Sequence, residues 1–292
     1  MSSRETPPDP VPGALHRPSY RLVYIIGSGH CGSTLLTLLL NGHRDVLGLS
    51  EIGTIGDHVR QQEPERTLDA SPWKLVCADY ERSTGTAFSS IDLSFPAART
   101  LLRWSPQEVN EWVGPNRALF DAWARTSKTG LLVDASKSWQ RLYLLHRSGC
   151  FDLSVIHLVR DGRAVLNSYL RKYELPGFAF TKWPKVTLAA LLLKRRIDPS
   201  RWLDVRYEDL ARSPQRELSR ICGFLDIAFT PEMLRYRSHE FYGLGGNRML
   251  AGSGEAIRLD ERWKEELPRR YRFLFSLFFG WLNRLAGSRN GR

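Results

Sequence analysis

The stretch Arg21-Leu-Val-Tyr-Ile-Ile26-Gly27-Ser28-Gly29-His30-Cys31-Gly32-Ser33-Thr34-Leu-Leu-Thr-Leu-Leu-Leu40 decides how the chain folds. After Arg21, its first residues are apolar and rich in β-branched side chains, and Arg21–Ile26 has the length and chemistry of a buried strand. Three glycines between positions 27 and 32 interrupt the run. Ser33 or Thr34 then opens a helix that Asn41-Gly42 stops. Strand, glycine turn and helix together form a cradle for an anion. Glycine lets the backbone take positive φ and come close to a ligand. The unpaired N–H groups and the dipole at the helix start then hold negative charge.

The spacing Gly27-x4-Gly32 followed by Ser33-Thr34 mimics the nucleotide triphosphatase loop GxxxxGK[ST], but Ser33 stands where that loop has lysine. The lysine reaches the β- and γ-phosphates in triphosphatase chemistry. Its loss argues against ATP or GTP hydrolysis and leaves the anion cradle intact. A ligand-free glycine turn is the bland alternative.

Outward from this stretch, Val46–Leu49, Leu131–Val133, Ser154–Val159 and Trp202–Val205 read as further buried strands. Helical faces follow at 161–173 (Val165, Leu166, Tyr169, Leu170, Tyr173) and 214–225 (Leu218, Ile221, Phe224, Leu225). Strands alternating with helices predict an α/β fold: a P-loop-like parallel sheet flanked by helices. Residues 60–128 break the alternation. They are polar, carry Trp73, Trp104, Trp112 and Trp123, and read as a helical insertion that covers an acceptor site or merely shields the sheet.

The 292 residues are 42% hydrophobic and 25% charged, which excludes disordered and collagenous classes. Residues 1–18 (MSSRETPPDPVPGALHRP) are expected to be a disordered leader, with one domain over 19–292. That leader has no apolar stretch of signal-peptide type. The apolar run Phe273–Leu282 is far shorter than the roughly 18 to 20 residues of a membrane-spanning helix. The segment RRYRFLFSLFFGWLNRL around it reads better as a closing core helix than as a membrane-surface helix. Four scattered cysteines without a CxxC pair fit a reducing, cytoplasmic setting and suggest neither a disulfide framework nor a metal site.

The formal charge of +11 is uneven: 137–172 holds seven Lys/Arg against Asp152 and Asp161. Nucleic acid, anionic lipid or a polyanionic small ligand would each suit such a concentration. No reading helix or RNA-binding module accompanies it, so a nucleic-acid partner is not expected. Arg160 closes a strand at the edge where open parallel sheets bind ligands, and its fork matches a phosphate. Ser168 lies two turns into the following helix and offers a hydroxyl.

GSGHCGSTLL after a strand, together with LVRDGRAVLNS, resembles the sulfotransferase family. Val205-Arg-Tyr207-Glu-Asp-Leu210 and His239…Gly246-Asn247-Arg248…Asp260-Glu-Arg-Trp263 resemble further family segments, so the likeness spans about Leu22 to Leu267. It implies a sulfuryl transferase using 3′-phosphoadenosine 5′-phosphosulfate (PAPS) as co-substrate, with no metal and with a small-molecule, carbohydrate or lipid acceptor. It assigns co-substrate binding to Gly29, His30, Cys31, Gly32, Ser33, Thr34, Arg160, Ser168 and Tyr207, and adds Arg248. The family usually has Arg or Lys at the position of His30 and Ser at that of Cys31.

Glu51 follows the second strand in Leu-Gly-Leu-Ser-Glu, where the similar protein tyrosine sulfotransferases place a catalytic base. Lys137 corresponds to a lysine that contacts the transferring group there. His30, protonated or as a neutral N–H donor, and Lys137 are expected to share the stabilisation of charge on that group, Lys137 offsetting the cation missing at position 30. The acceptor, a hydroxyl or amine, must lose its proton to a base within hydrogen-bond reach. His43 and His239 rank below Glu51 for that task. A nucleoside-triphosphate-dependent phosphotransferase and an inactive sulfotransferase homologue remain the alternatives.

Overall fold

A computed structural model describes residues 18–60, 71–173, 176–244 and 256–287. The leader expected before Pro18 and Arg248 lie outside the described residues.

Among the described residues, five strands form one sheet: β1 (Arg21–Ile26), β2 (Val46–Ser50), β3 (Leu131–Lys137), β4 (Asp152–Val159) and β5 (Trp202–Arg206). Their order is β2-β3-β1-β4-β5, and every pairing is parallel. Each strand turned up where an apolar run predicted it. β1 has the expected bounds, and the other four strands are longer by one to four residues, because ladder hydrogen bonds carry pairing beyond the apolar run. In β1 the period-two alternation is complete. Leu22, Tyr24 and Ile26 enter one core, Val23 and Ile25 the other.

The longer helices are α1 (Ser33–Asn41), α2 (Ser71–Thr84), α3 (Pro106–Ser127), α4 (Trp139–Ser148), α5 (Gly162–Tyr173), α6 (Pro176–Lys194), α7 (Pro214–Phe224) and α8 (Arg269–Gly287). α1 and α7 cover the face carrying Val23 and Ile25. α2 and α3 cover the other, burying Trp73, Trp112 and Trp123 against Tyr24 and Leu132. These tryptophans are core residues, and the helices between 71 and 127 form an outer layer of the sheet. α3 begins with a capping box: Ser105 Oγ accepts the Glu108 N–H, while the Glu108 carboxylate accepts the Ser105 N–H at 2.6 Å.

A third core joins α5, α6 and α8 through Val165, Leu166, Trp183, Phe275 and Leu282. The C-terminal segment is therefore a closing helix on its inner face. Trp183 and Phe180 pack against Phe275 within this core. All strands being parallel, their C-terminal ends lie along one edge. The chain reverses its direction of winding at β1, between β3 and β4, the place where open α/β sheets receive ligands.

Candidate functional site

The loop after β1 runs beneath the N-terminus of α1. Gly32 is the N-cap residue at φ 97°, with no side chain capping the helix, so the first-turn N–H groups face the loop. A Cβ on Gly32 would stand 2.5 Å from the Tyr207 ring, and one on Gly29 would overlap the Tyr169 hydroxyl. These two positions demand glycine for space, and Gly32 demands it for conformation as well. Ser33 and Thr34 are buried in the first turn. Cys31 is also buried and packs with Val23 and Ile25. Burial raises its thiol above the ordinary value, so it is a neutral packing residue. Its N–H donates to the Ser28 carbonyl at 3.3 Å.

Arg160 follows β4 and is 6% exposed. Its Nη1 donates to the His30 carbonyl at 2.9 Å, which fixes the loop from below. Its Nη2 lies 3.1 Å from an Asp260 carboxylate oxygen, and its guanidinium sits 4.5 Å above the Tyr207 ring. Among the described residues, Arg160 Nε is buried without a hydrogen-bond partner. Hydrogen bonds from Arg262, together with those from Arg160, hold the Asp260 carboxyl far below the usual carboxylate range. Tyr207 opens the short helix Tyr207–Arg212, and its hydroxyl accepts the Asp260 N–H at 3.4 Å. Ser168 sits half-buried on α5, next to the Tyr169 that covers Gly29.

Glu51 and Lys137, far apart in sequence, meet at the ends of β2 and β3: Lys137 Nζ lies 2.5 Å from Glu51 Oε1. The side chains are 16% and 32% exposed for Lys137 and Glu51, so the pair is accessible from solvent without lying fully in it. Backbone irregularity concentrates here. Ser50 (φ 54°), Lys137 (φ 64°) and His30 (φ 61°) are all left-handed without being glycine. The β1–β3 and β2–β3 registers both shift at this edge. Such conformations persist only where the surroundings over-determine them.

A buried ion pair supplies that support. Asp134, fully buried on β3, receives Arg141 Nε at 2.7 Å on one oxygen and the Ser136 N–H and hydroxyl on the other. Arg141 Nη1 reaches Asn116 of α3 at 2.5 Å, and Ser136 Oγ accepts the Gly53 N–H two residues after Glu51. The network thus ties the strand end bearing Lys137, the turn bearing Glu51 and the outer helix α3. Motif reading missed it: Asp134 and Arg141 are separated by the largely polar stretch Ala-Ser-Lys-Ser-Trp-Gln, and nothing in that stretch singles the two out as a pair.

His30 stands edge-on to Tyr169 at 4.7 Å and to Tyr173 at 6.1 Å. Burial first, then the Lys172, Arg160 and Lys137 charges, lower its pKa from 6.5 to about 4. The imidazole is neutral at pH 7 and supplies no cation; Lys137, Arg160 and Lys172 do. The sequence reading overlooked Lys172, Tyr169 and Tyr173 as neighbours of the loop, although helical spacing places 169, 172 and 173 on one side of α5. His43 and His239 fall elsewhere. They line a groove with Asn41 and Glu232 at the opposite end of the sheet, ahead of β2. Topology removes both as bases.

Residues 23–231 match the profile of the Sulfotransferase family. A putative protein-tyrosine sulfotransferase of Caenorhabditis briggsae is 25% identical over 236 residues, 76% of this chain and 71% of that protein. Human carbohydrate sulfotransferase 6 is 27% identical over 157 residues, and the matched part is 40% of its length. Among solved structures, the sulfotransferase domain of the Synechococcus PCC 7002 olefin synthase superposes with a TM-score of 0.64 at 24% identity, covering 99% of this chain and 100% of that one. The sulfotransferase domain of the curacin biosynthetic pathway gives 0.55 at 22% identity, covering 88% and 97%. Both likenesses concern the fold. The profile extends from the second residue pair of β1 past α7, across the anion loop, Glu51, Lys137, Arg160 and Tyr207, and on that ground the chain belongs to the sulfotransferase family.

Proposed function

We propose that this protein transfers a sulfuryl group from PAPS to a hydroxyl of a small-molecule, carbohydrate or lipid acceptor, in the cytoplasm. One observation carries the reading: an uncapped, glycine-shaped helix start lies over a buried arginine whose Nε has no partner among the described residues, and an accessible carboxylate–lysine pair stands at the same sheet edge, where Lys137 is the register partner of Ile26. The donor set suits a bisphosphorylated nucleotide. Gly29, His30, Gly32, Ser33 and Thr34 would hold the 5′ end through main-chain N–H groups and hydroxyls, with Cys31 contributing main chain alone. Arg160 and Ser168 would take the 3′-phosphate, Tyr207 would position Arg160 and flank the adenine, and Arg248 is assigned to the same end. When bound, PAPS supplies the activated sulfuryl group.

Glu51 accepts the acceptor's proton in this scheme. Lys137 holds Oε1, which fixes the carboxylate and leaves Oε2 for the hydroxyl. Lys137 and Lys172 place positive charge where equatorial and leaving oxygens gain negative charge, a role that falls to them because His30 is neutral. A nucleoside-triphosphate phosphotransferase fits less well, since Ser33 occupies the position of the phosphate-reaching lysine.

Radiolabelled PAPS incubated with the protein and a metabolite extract tests the reading. Label should appear in an acceptor without added magnesium, and Glu51→Gln should cut the rate by about 100-fold or more. Label transferred only from γ-labelled ATP with magnesium would overturn it.

A further inference from the structure

α8 buries Phe275, Leu282 and Ala286 against α5 and α6, and turns a second apolar face outward. Phe273, Leu277, Phe278, Trp281 and Leu285 are 67%, 62%, 59%, 53% and 53% exposed. At 100° per residue they cover a continuous arc of the helix, with Arg270 and Arg284 inside or beside it. The helix on which α8 packs repeats the pattern: α6 exposes Leu188 (41%) and Leu192 (61%), with Lys182 and Lys185 exposed on the preceding turns. Neither Arg269–Gly287 nor Pro176–Lys194 contains a single Asp or Glu.

An apolar arc of this size on a water-facing helix calls for an occupant. Charge selects which one. A second copy would bring arginine and lysine against arginine and lysine, with no acid on either helix to complement them. A negatively charged surface that also accepts aromatic and aliphatic side chains satisfies both components. Tryptophan, phenylalanine and leucine flanked by arginine is the composition of helices that lie in the headgroup plane. No helix among the described residues is long and apolar enough to cross a membrane. We infer that the α6–α8 face docks on the surface of an anionic phospholipid bilayer, with α8 lying in the interface plane.

The inference is independent of the sulfuryl-transfer reading and is tested without it. The full chain is sedimented with vesicles of phosphatidylcholine containing phosphatidylserine, and with vesicles of phosphatidylcholine alone. Binding to the anionic vesicles should exceed binding to the neutral ones by about tenfold or more, and should fall as salt rises. The exposed-face variant Phe273→Glu/Trp281→Glu and the charge variant Arg270→Glu/Arg284→Glu should each lose about tenfold or more, with circular dichroism and melting temperature unchanged because these side chains face solvent. Equal binding to both vesicle types, no binding to either, or binding that survives both variants overturns the inference. So does a dimer in light scattering that Phe273→Glu/Trp281→Glu converts to monomer while vesicle binding is absent.

Discussion

His30 stands in the glycine loop as a group without a permanent charge, and its surroundings explain that. Three cations already act on it, so a neutral ring avoids a fourth charge in a half-buried place. The pH dependence follows. The folded-state pKa of about 4 lies below the unfolded value of 6.5, so the unfolded chain takes the proton first on acidification. This residue's contribution to stability is complete above pH 6.5 and is lost as pH falls toward 4. His30→Gln should flatten the stability–pH slope in that window, by at most about 1.4 kcal/mol per pH unit, as read by urea denaturation at a series of pH values. An unchanged slope would show that the ring is not held neutral by its neighbours. His30→Arg should lower the melting temperature without nucleotide and enlarge the stabilisation gained when 3′-phosphoadenosine 5′-phosphate (PAP) binds. Arg160 belongs to the same scale. Arg160→Ala removes charge-assisted hydrogen bonds of about 1.5–3 kcal/mol, so calorimetry should record PAP affinity about 10- to 100-fold weaker. Glu51→Ala should leave that affinity nearly intact.

Among the elements, the ends of β2 and β3 are the most demanding structures in the molecule. Left-handed Ser50 and Lys137 hold the Glu51–Lys137 pair in place, and the Asp134–Arg141–Asn116 network holds them. Removing one member of a buried ion pair strands the other, at about 3–5 kcal/mol. Arg141→Met should therefore destabilise by about that amount in equilibrium unfolding, and Asp134→Leu/Arg141→Met should recover much of the loss. Recovery of folding without recovery of turnover would identify the network as a positioning device. Full recovery of turnover would assign it to stability alone. These elements also show what sequence can and cannot reveal. The strands and the glycine loop were legible because apolar runs, glycine spacing and a missing lysine are local signals. Glu51, Lys137 and Arg160 were legible because each directly follows or ends a strand at one edge. The Asp134 network was not, since it joins β3, α4 and α3 through pairings that no spacing encodes. The tryptophans of 71–127 were ambiguous because an aromatic on an amphipathic helix reads alike whether it meets a sheet or a ligand. Asp260 as the carboxylate on Arg160 was equally hidden, being 100 residues downstream.

For the whole molecule, the sheet order concentrates positive charge at one place. The excess of the 137–172 segment is spread over β3, α4 and α5, yet Lys137, Arg160 and Lys172 all act on His30. A basic chain thus carries its charge in two functional regions by this account: the loop edge, and the α6–α8 face. The account rests on the first of these being a bisphosphate-nucleotide clamp that needs no divalent ion. Thermal unfolding with PAP in the presence of EDTA is the direct test. At about 100 times its dissociation constant, PAP should add about 2.7 kcal/mol and raise the melting temperature by about 5 °C or more. The shift should vanish in Arg160→Ala, and ATP with magnesium should produce none of comparable size. Absence of a shift with millimolar PAP, or a larger one with magnesium and ATP, would contradict the account.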